Sequence, residues 1–206
     1  ASRMITGALF VSIANADFDV ESVKNKIKLN REKKNELKET AHRQSIALDD
    51  LRLSFLSPVF ERIGVLAEGD EDVRSLKQLI IYGLKGAAAY LKHAERLRFE
   101  DAGIYATIEE ILAVIGKKNI DIDMLFNRVL GVGELGVRAM SLLDKANTSS
   151  FGMPECSKVS SNVGNRPGIL VTGHDLADLK DLLEQSENAG INPNVLVVYA
   201  NAKILN

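Results

Sequence analysis

The chain has 206 residues, of which 46% are hydrophobic and 26% charged, a composition typical of a soluble globular protein with one or two domains. Its formal net charge of −2 gives no reason to expect nucleic acid or an anionic membrane as a partner. No apolar run reaches the roughly 18–20 residues that span a bilayer, and no signal peptide is recognised, so we expect a cytoplasmic location. The single cysteine, Cys156, excludes an internal disulfide and a multi-cysteine metal site made by this chain alone.

Two helices are predicted at the start of the chain. Residues 3–14 place apolar side chains along one helical face, at Met4, Ile5, Leu9 and Ile13. Asp17 or Asp19 offers an N-cap for a second helix that runs to about His42, and residues 43–69 are less regular. Three apolar side chains of the second helix are predicted to face inward: Val23, Ile27 and Leu37. The lysines and arginine on its other faces favour a solvated surface over a partner site.

The clearest amphipathic stripe lies in a third predicted helix. Residues 70–72 are all acidic, and such charges are favourable at a helix N-terminus. The stripe consists of Val73, Leu76, Leu79, Ile80, Leu84, Ala87, Ala88, Leu91 and Ala94. Gly83 and Gly86 cost helix propensity, so we expect both to pack closely against a neighbouring helix. His93 is expected on the rim of this helix as an ordinary polar residue.

Two more helices complete a predicted bundle. The first spans about residues 102–115 and ends at residues 116–119, and the second begins at Asp121 or Asp123. Apolar residues of the second recur at helical spacing: Ile122, Leu125, Val129, Val132, Leu135, Ala139, Leu142, Leu143 and Ala146. Because short links favour antiparallel helix packing, we assign residues 1–150 to a helical bundle domain.

The C-terminal quarter changes architecture. Residues 151–167 are rich in Ser, Asn, Gly and Pro and form a predicted connector, and residues 168–206 form the last segment. Its predicted elements are a strand at about 168–173, a helix at 175–188 that Gly190 stops, and a strand at 194–199. The fold class is therefore mainly α (helical bundle), followed by a partial α/β Rossmann-like β-α-β unit. Since so small a sheet leaves its edges exposed, we expect a homo-oligomer or a protein partner at the sheet edge.

Four features of the sequence are candidate sites. Residues 131–136 match the G-x-G-x-x-G dinucleotide pattern, but they lie in a helical pattern with no strand before them, which disfavours a nucleotide site. Cys156 has no histidine near it in sequence, and His42 has no evident role. His174 follows a predicted strand directly, at the end where α/β sheets hold ligands. Both a structural role and a metal role are open for His174.

Four stretches of the sequence resemble one known family. They are the N-terminal helix with the run I-A-N-A-D-F-D at residues 13–19, the run G-L-K-G-A-A-A-Y at residues 83–90, the run A-M-S-L-L-D-K-A-N-T at residues 139–148 and the run P-G-I-L-V-T-G-H-D at residues 167–175. The first is similar to a T-N-x-N-[FW]-D corner, and the second to a central bundle helix, of the hybrid-cluster protein family. This family is also called the prismane proteins or hydroxylamine reductases, and the chain resembles the nickel carbon monoxide dehydrogenases more distantly. The resemblance extends over nearly the whole chain in collinear order.

The resemblance implies a helical first domain built of three-helix bundles, followed by two Rossmann-like domains. Members of the family hold a cubane iron–sulfur cluster on four N-terminal cysteines. They also hold a hybrid iron–sulfur–oxygen cluster, on which the histidine of the Gly-His-Asp turn is a ligand. Carried over by motif, that ligand position is His174. The implied chemistry is anaerobic reduction of hydroxylamine or nitric oxide with electrons from a redox partner.

The chain also departs from the family. The N-terminal cysteine motif and the cysteine-bearing C-terminal domains of the family have no counterpart in these 206 residues. Where the family reads Val-Tyr-Thr-His-Gly-Glu, with the glutamate as a second cluster ligand, this sequence reads V-Y-A-N-A-K and ends that run at Lys203. An ammonium group cannot coordinate iron, and thiolates normally hold iron–sulfur clusters.

We therefore expect a hydroxylamine reductase-like chain that lacks most cluster ligands, binds no cofactor and is not catalytic alone, with His174 as a vestigial ligand position. The alternative is a fragment or subunit of an active hydroxylamine or nitric oxide reductase, whose cluster ligands come from missing chain or from a partner chain. Lys203 separates the two hypotheses, because an active enzyme should keep the acidic ligand.

Overall fold

The computed structural model describes residues 2–14, 19–43, 67–117, 119–156, 158, 165, 168–172, 175–190 and 194–199. For residues 14, 172 and 194–199 it describes the backbone only. The elements in chain order are helices α1 (Ser2–Ala14), α2 (Val20–Arg43), α3 (Glu71–Arg96), α4 (Ala102–Ile115) and α5 (Ile122–Phe151), strand β1 (Gly168–Thr172), helix α6 (Leu176–Asn188) and strand β2 (Asn194–Tyr199). The described chain is thus mostly helical, as the sequence predicts.

Aspartates begin five of these helices, because a carboxylate oxygen can accept hydrogen bonds from backbone N–H groups of the first turn. They are Asp19, Asp70, Asp101, Asp121 and Asp175. The Asp70 carboxylate accepts from the N–H groups at positions 72 and 73, at 2.9 and 3.1 Å. The predicted caps at Asp19 and Asp121 are confirmed, whereas Asp17 lies outside the described residues. These local signals explain why the predicted helix starts are accurate.

The chain divides into two compact units. The first comprises Ala1–Ala89 and Asp101–Ala139, and the second comprises Tyr90–Glu100 and Met140–Asn206. The core of the first unit is formed by side chains that are at most 1% exposed: Ile80, Leu84, Ile104, Ile108, Ile111, Leu125 and Leu135. Helix α1 lies against α4, where the Ser2 hydroxyl donates to Glu109 Oε1 at 2.7 Å.

Helix packing at Gly83 is as close as the sequence predicts. A Cβ atom added at Gly83 would overlap Cγ1 of Val132, so α3 and α5 approach each other at this point. At Gly86 the prediction is wrong, since an added Cβ atom would meet nothing within 4 Å. The spacing of the two glycines does not by itself show which of them contacts the neighbouring helix.

The predicted inward face of α2 is also wrong. Val23, Ile27 and Leu37 are exposed, and Ala41 is the buried residue of this helix among those described. Leu79, a member of the predicted apolar stripe of α3, is exposed as well. Periodicity shows that a helix has an apolar face, but it does not show that the described chain covers that face.

The second unit contains a parallel two-stranded sheet. Gly168 pairs with Asn194, and the register continues to Val171 opposite Val197 before a shift places Thr172 opposite Tyr199. Helix α6 connects the two strands and ends near Gly190, whose φ of +69° favours glycine. Leu170 points to the opposite face from its neighbours in β1 and is 65% exposed.

The contact at Gly83 can be tested by adding a single methyl group. We expect Gly83→Ala to lower the free energy of unfolding by about 1–2 kcal/mol, because Val132 has to move to accommodate it. Gly86→Ala is the matched control in the same helix, and we expect it to raise the free energy by about 0.5–1 kcal/mol through helix propensity. Urea unfolding followed by circular dichroism measures both. Equal effects of the two substitutions would contradict the proposed α3–α5 contact.

Candidate functional site

The region of interest is the junction between β1 and α6. Strand β1 ends at Thr172 and Asp175 caps α6, so two residues, Gly173 and His174, connect the described ends. His174, the predicted metal-ligand position, lies outside the described residues, as does Lys203. The structure therefore describes Asp175, the residue that follows His174, rather than the imidazole of His174 itself.

Asp175 uses both of its carboxylate oxygens. Oδ1 accepts hydrogen bonds from the backbone N–H groups of Ala177 and Asp178, at 2.8 and 3.2 Å. Oδ2 lies 2.8 Å from Nδ1 of His93, in the last turn of α3. One carboxylate therefore caps α6 and also binds the end of another helix.

Arg96 extends this contact along α6. Its Nη1 pairs with Oδ1 of Asp178 and lies 3.9 Å from Oδ2 of Asp175, and its Nη2 donates to Oδ2 of Asp181 at 2.8 Å. The arrangement suits both helix ends, since cations are favourable at a helix C-terminus and carboxylates at an N-terminus. We call the five residues His93, Arg96, Asp175, Asp178 and Asp181 the α3–α6 junction.

The junction perturbs the ionisation of Asp175. The hydrogen bond from His93 is the largest cause that lowers the pKa of this carboxyl group, to about 2, against an opposing effect of burial. The backbone N–H groups at the cap lower this pKa further. A carboxylate that is ionised at neutral pH can only accept a hydrogen bond, so we assign the ring hydrogen of His93 to Nδ1.

Arg96 is held as a cation. Burial lowers its pKa, but hydrogen bonds with Asp181 and Asp178 and the charges of Asp178 and Asp175 outweigh that effect and raise it. The junction therefore combines fixed charges of both signs at two helix ends. Such an arrangement is suited to holding the backbone in one geometry.

The other predicted site residues do not join this junction. Residues 131–136 lie inside α5, so they are not a phosphate-binding loop between a strand and a helix, in agreement with the prediction. Cys156 is exposed and free, and His42 is exposed in the last turn of α2. Within the residues that the structure describes, no group of three or more His, Cys, Asp or Glu side chains could hold a metal ion.

The role of His93 and Arg96 is not among the sequence predictions. A signal was present, because His93 and Arg96 are three residues apart at a helix end, and Asp175, Asp178 and Asp181 repeat at the same interval. Each set is a short charged face on its own helix. The sequence does not show that the two faces meet, because His93 and Asp175 are 82 residues apart.

Comparison with known proteins identifies the family. A sequence model described as the Prismane/CO dehydrogenase family matches residues 1–197. The chain belongs to this family. The resemblance recognised in the sequence is therefore confirmed, and the family is one of iron–sulfur and hybrid-cluster oxidoreductases.

Curated relatives carry the name hydroxylamine reductase. The relative from Parabacteroides distasonis is 41% identical over 100% of this chain and 38% of its own length. The relative from Bacteroides thetaiotaomicron is 42% identical over 100% of this chain and 37% of its own length. The relative from Acetivibrio thermocellus is 39% identical over 98% of this chain and 37% of its own length. The chain thus spans less than two fifths of the length of these relatives.

None of the helices that the structure describes is both long and apolar enough to cross a membrane.

The Asp175 carboxyl group gives a pH test of the junction. Its lowered pKa means that its stabilising contribution is complete above about pH 4 and is lost as the pH falls through about 2. We expect the Asp175 carboxyl carbon to titrate with a midpoint near 2 in NMR spectra, assigned with Asp175→Asn. His93→Ala should raise this midpoint toward 4, and His42→Ala, the control, should leave it unchanged. A midpoint near 4 in the parent chain would contradict the His93–Asp175 hydrogen bond.

Proposed function

We propose that this chain is a hydroxylamine reductase-like protein whose 206 residues lack most iron–sulfur ligands and are not catalytic by themselves. The observation that carries the proposal is the combination of the family match over residues 1–197 with a single cysteine. Relatives named hydroxylamine reductase align with the whole chain, which supports the reaction class.

The side chains that this chain supplies do not fit an iron–sulfur cluster. Thiolates normally hold such clusters, and Cys156 is exposed and is the one thiol in the sequence. His174 is the position at which the family resemblance places a cluster ligand, and Lys203 stands where an acidic ligand is expected. No step of a reaction is therefore assigned to these 206 residues.

We further propose that residues 168–206 form part of a Rossmann-like domain, after the bundle of residues 1–150 and the connector of residues 151–167. The parallel pairing of β1 with β2 and the helix between them support this proposal. Exposure of Leu170 supports it too, because both faces of a doubly wound sheet are normally covered. The cytoplasmic location stays a prediction.

An alternative function is a segment or subunit of an active hydroxylamine or nitric oxide reductase. The alignment favours it, since the whole of this chain corresponds to 38% of a longer relative. The missing ligands would then come from another part of a longer polypeptide or from a separate partner chain.

Anaerobic reconstitution of the 206-residue chain with iron and sulfide tests the first proposal. We expect well under one iron per chain after desalting and no visible absorption that depends on His174. His174→Ala should give the same iron content as His42→Ala, the matched control. Stoichiometric iron with an absorption band that His174→Ala removes would overturn the proposal.

The sheet edge is the proposed place for a partner, either a second copy of the chain or another protein. The two-stranded sheet supports this assignment, since each strand has one edge that no described strand pairs. The exposed Leu170 adds apolar area on the adjoining face of the sheet. We expect sedimentation equilibrium to show self-association that Leu170→Lys weakens, with Leu79→Lys on α3 as the control. A strictly monomeric mass at high protein concentration would count against a homo-oligomer.

A further inference from the structure

We propose that helix α2 is a docking surface for an acidic amphipathic helix of another protein. The surface lies within residues 20–41, all of which the structure describes and all of which belong to the first compact unit. Neither an iron–sulfur cluster nor His174 takes part in it, so the surface is independent of the proposed function.

The exposed apolar side chains of α2 follow the spacing of a coiled-coil seam. They belong to a row in which residues recur alternately four and three positions apart. The row consists of Val23, Ile27, Asn30, Lys34, Leu37 and Ala41. Val23, Ile27 and Leu37 are 36%, 47% and 50% exposed, whereas Ala41, at the end of the row, is buried. The described chain therefore leaves most of this seam open to a partner helix.

Cations border the seam on both sides. The two flanking rows repeat every seven residues and consist of Lys24, Arg31 and Lys38 on one side and Lys26, Lys33 and Thr40 on the other. The glutamates of α2 lie outside both rows, at positions 21, 32, 36 and 39. In coiled coils, residues of the flanking rows pair with opposite charges on the partner helix. A helix with Glu or Asp in its own flanking rows would therefore match α2 in charge and in spacing.

Ion pairs within α2 compete only weakly with such a partner. Lys24 pairs with Glu21 at 2.6 Å, and Lys33 pairs with Glu36 at 2.7 Å. Both contacts are exposed to solvent, and exposed pairs contribute little to stability. The two lysines can therefore exchange these glutamates for the carboxylates of a partner.

A second copy of α2 would not fit this surface. Two parallel copies would place the row of Lys24 against the row of Lys26, and two antiparallel copies would place each row against itself. Both arrangements bring cations together, and like charges across an interface disfavour binding. The flanking charges therefore select a partner of different sequence and opposite charge.

An anionic membrane fits the surface less well. Helices that lie on membranes typically bury bulky apolar and aromatic side chains. The seam of α2 contains no aromatic residue, and it includes Asn30 and Lys34. Polar residues within a seam are suited to a coiled coil, where they specify the register of the two helices at a cost in stability. We therefore expect a reversible complex that depends on charge as well as on apolar contact.

The test uses a fluorescent peptide of 24 residues, the length of α2, with Leu and Ile in its seam and Glu in both flanking rows. Fluorescence anisotropy measures its binding to the 206-residue chain. We expect binding that weakens as the salt concentration rises, because the ion pairs are exposed. A peptide with Lys in its flanking rows should bind about tenfold more weakly. A scrambled peptide with the composition of the acidic one should also bind about tenfold more weakly, because it lacks the seam.

Three single substitutions locate the contact on α2. Ile27→Asn removes an apolar contact of the seam and should weaken binding of the acidic peptide about tenfold. Arg31→Glu replaces attraction by repulsion in a flanking row and should have an effect of about the same size. Lys28→Glu, the matched control, makes the same change of charge outside both flanking rows and should alter the affinity by less than about twofold. All three side chains are exposed in the free chain, and circular dichroism checks that each variant is folded.

Four results would overturn the proposal. One is no binding of the acidic peptide to the folded chain at about 100 µM. Equal affinity for the acidic and scrambled peptides would indicate a general effect of charge. Equal weakening by Arg31→Glu and Lys28→Glu would exclude the flanking rows as the contact. Binding to phosphatidylserine vesicles that Ile27→Asn abolishes, without binding of the acidic peptide, would assign the surface to a membrane.

Discussion

The carboxylate of Asp175 connects the two kinds of structure in this chain. It completes the first turn of α6 through Oδ1 and accepts a hydrogen bond from the end of α3 through Oδ2. The second compact unit includes the end of α3 and the residues that follow it, Tyr90–Glu100, together with the β-α-β elements. A single carboxylate thus joins the start of α6 to the last turn of α3.

Local features of this fold were predictable from sequence, and long-range ones were not. Asp19 and Asp121 as caps, Gly190 as a stop and both strands were predicted because each depends on a few adjacent residues. The inward assignment of Val23 and Ile27 failed because burial depends on what a helix packs against. His93 was predicted to be an ordinary rim residue, because its partner lies 82 residues away and no local pattern links them.

The sequence likewise shows the family of the chain more readily than it shows a functional site. Family membership was recognisable in sequence motifs and is established by the match over residues 1–197. The described residues contain no group of three or more His, Cys, Asp or Glu side chains that could hold a metal ion. One cysteine does not provide the thiolates of an iron–sulfur cluster. A shared family fold does not by itself establish a shared activity.

The energetic coupling between His93 and Asp175 is the most direct measure of this account. A double-mutant cycle with His93→Leu and Asp175→Asn isolates that coupling in the free energy of unfolding. We expect about 1–2 kcal/mol, the order of a partly shielded hydrogen bond to a charged group. Coupling below about 0.3 kcal/mol, the range in which independent sites are additive, would show that the contact does not hold the junction.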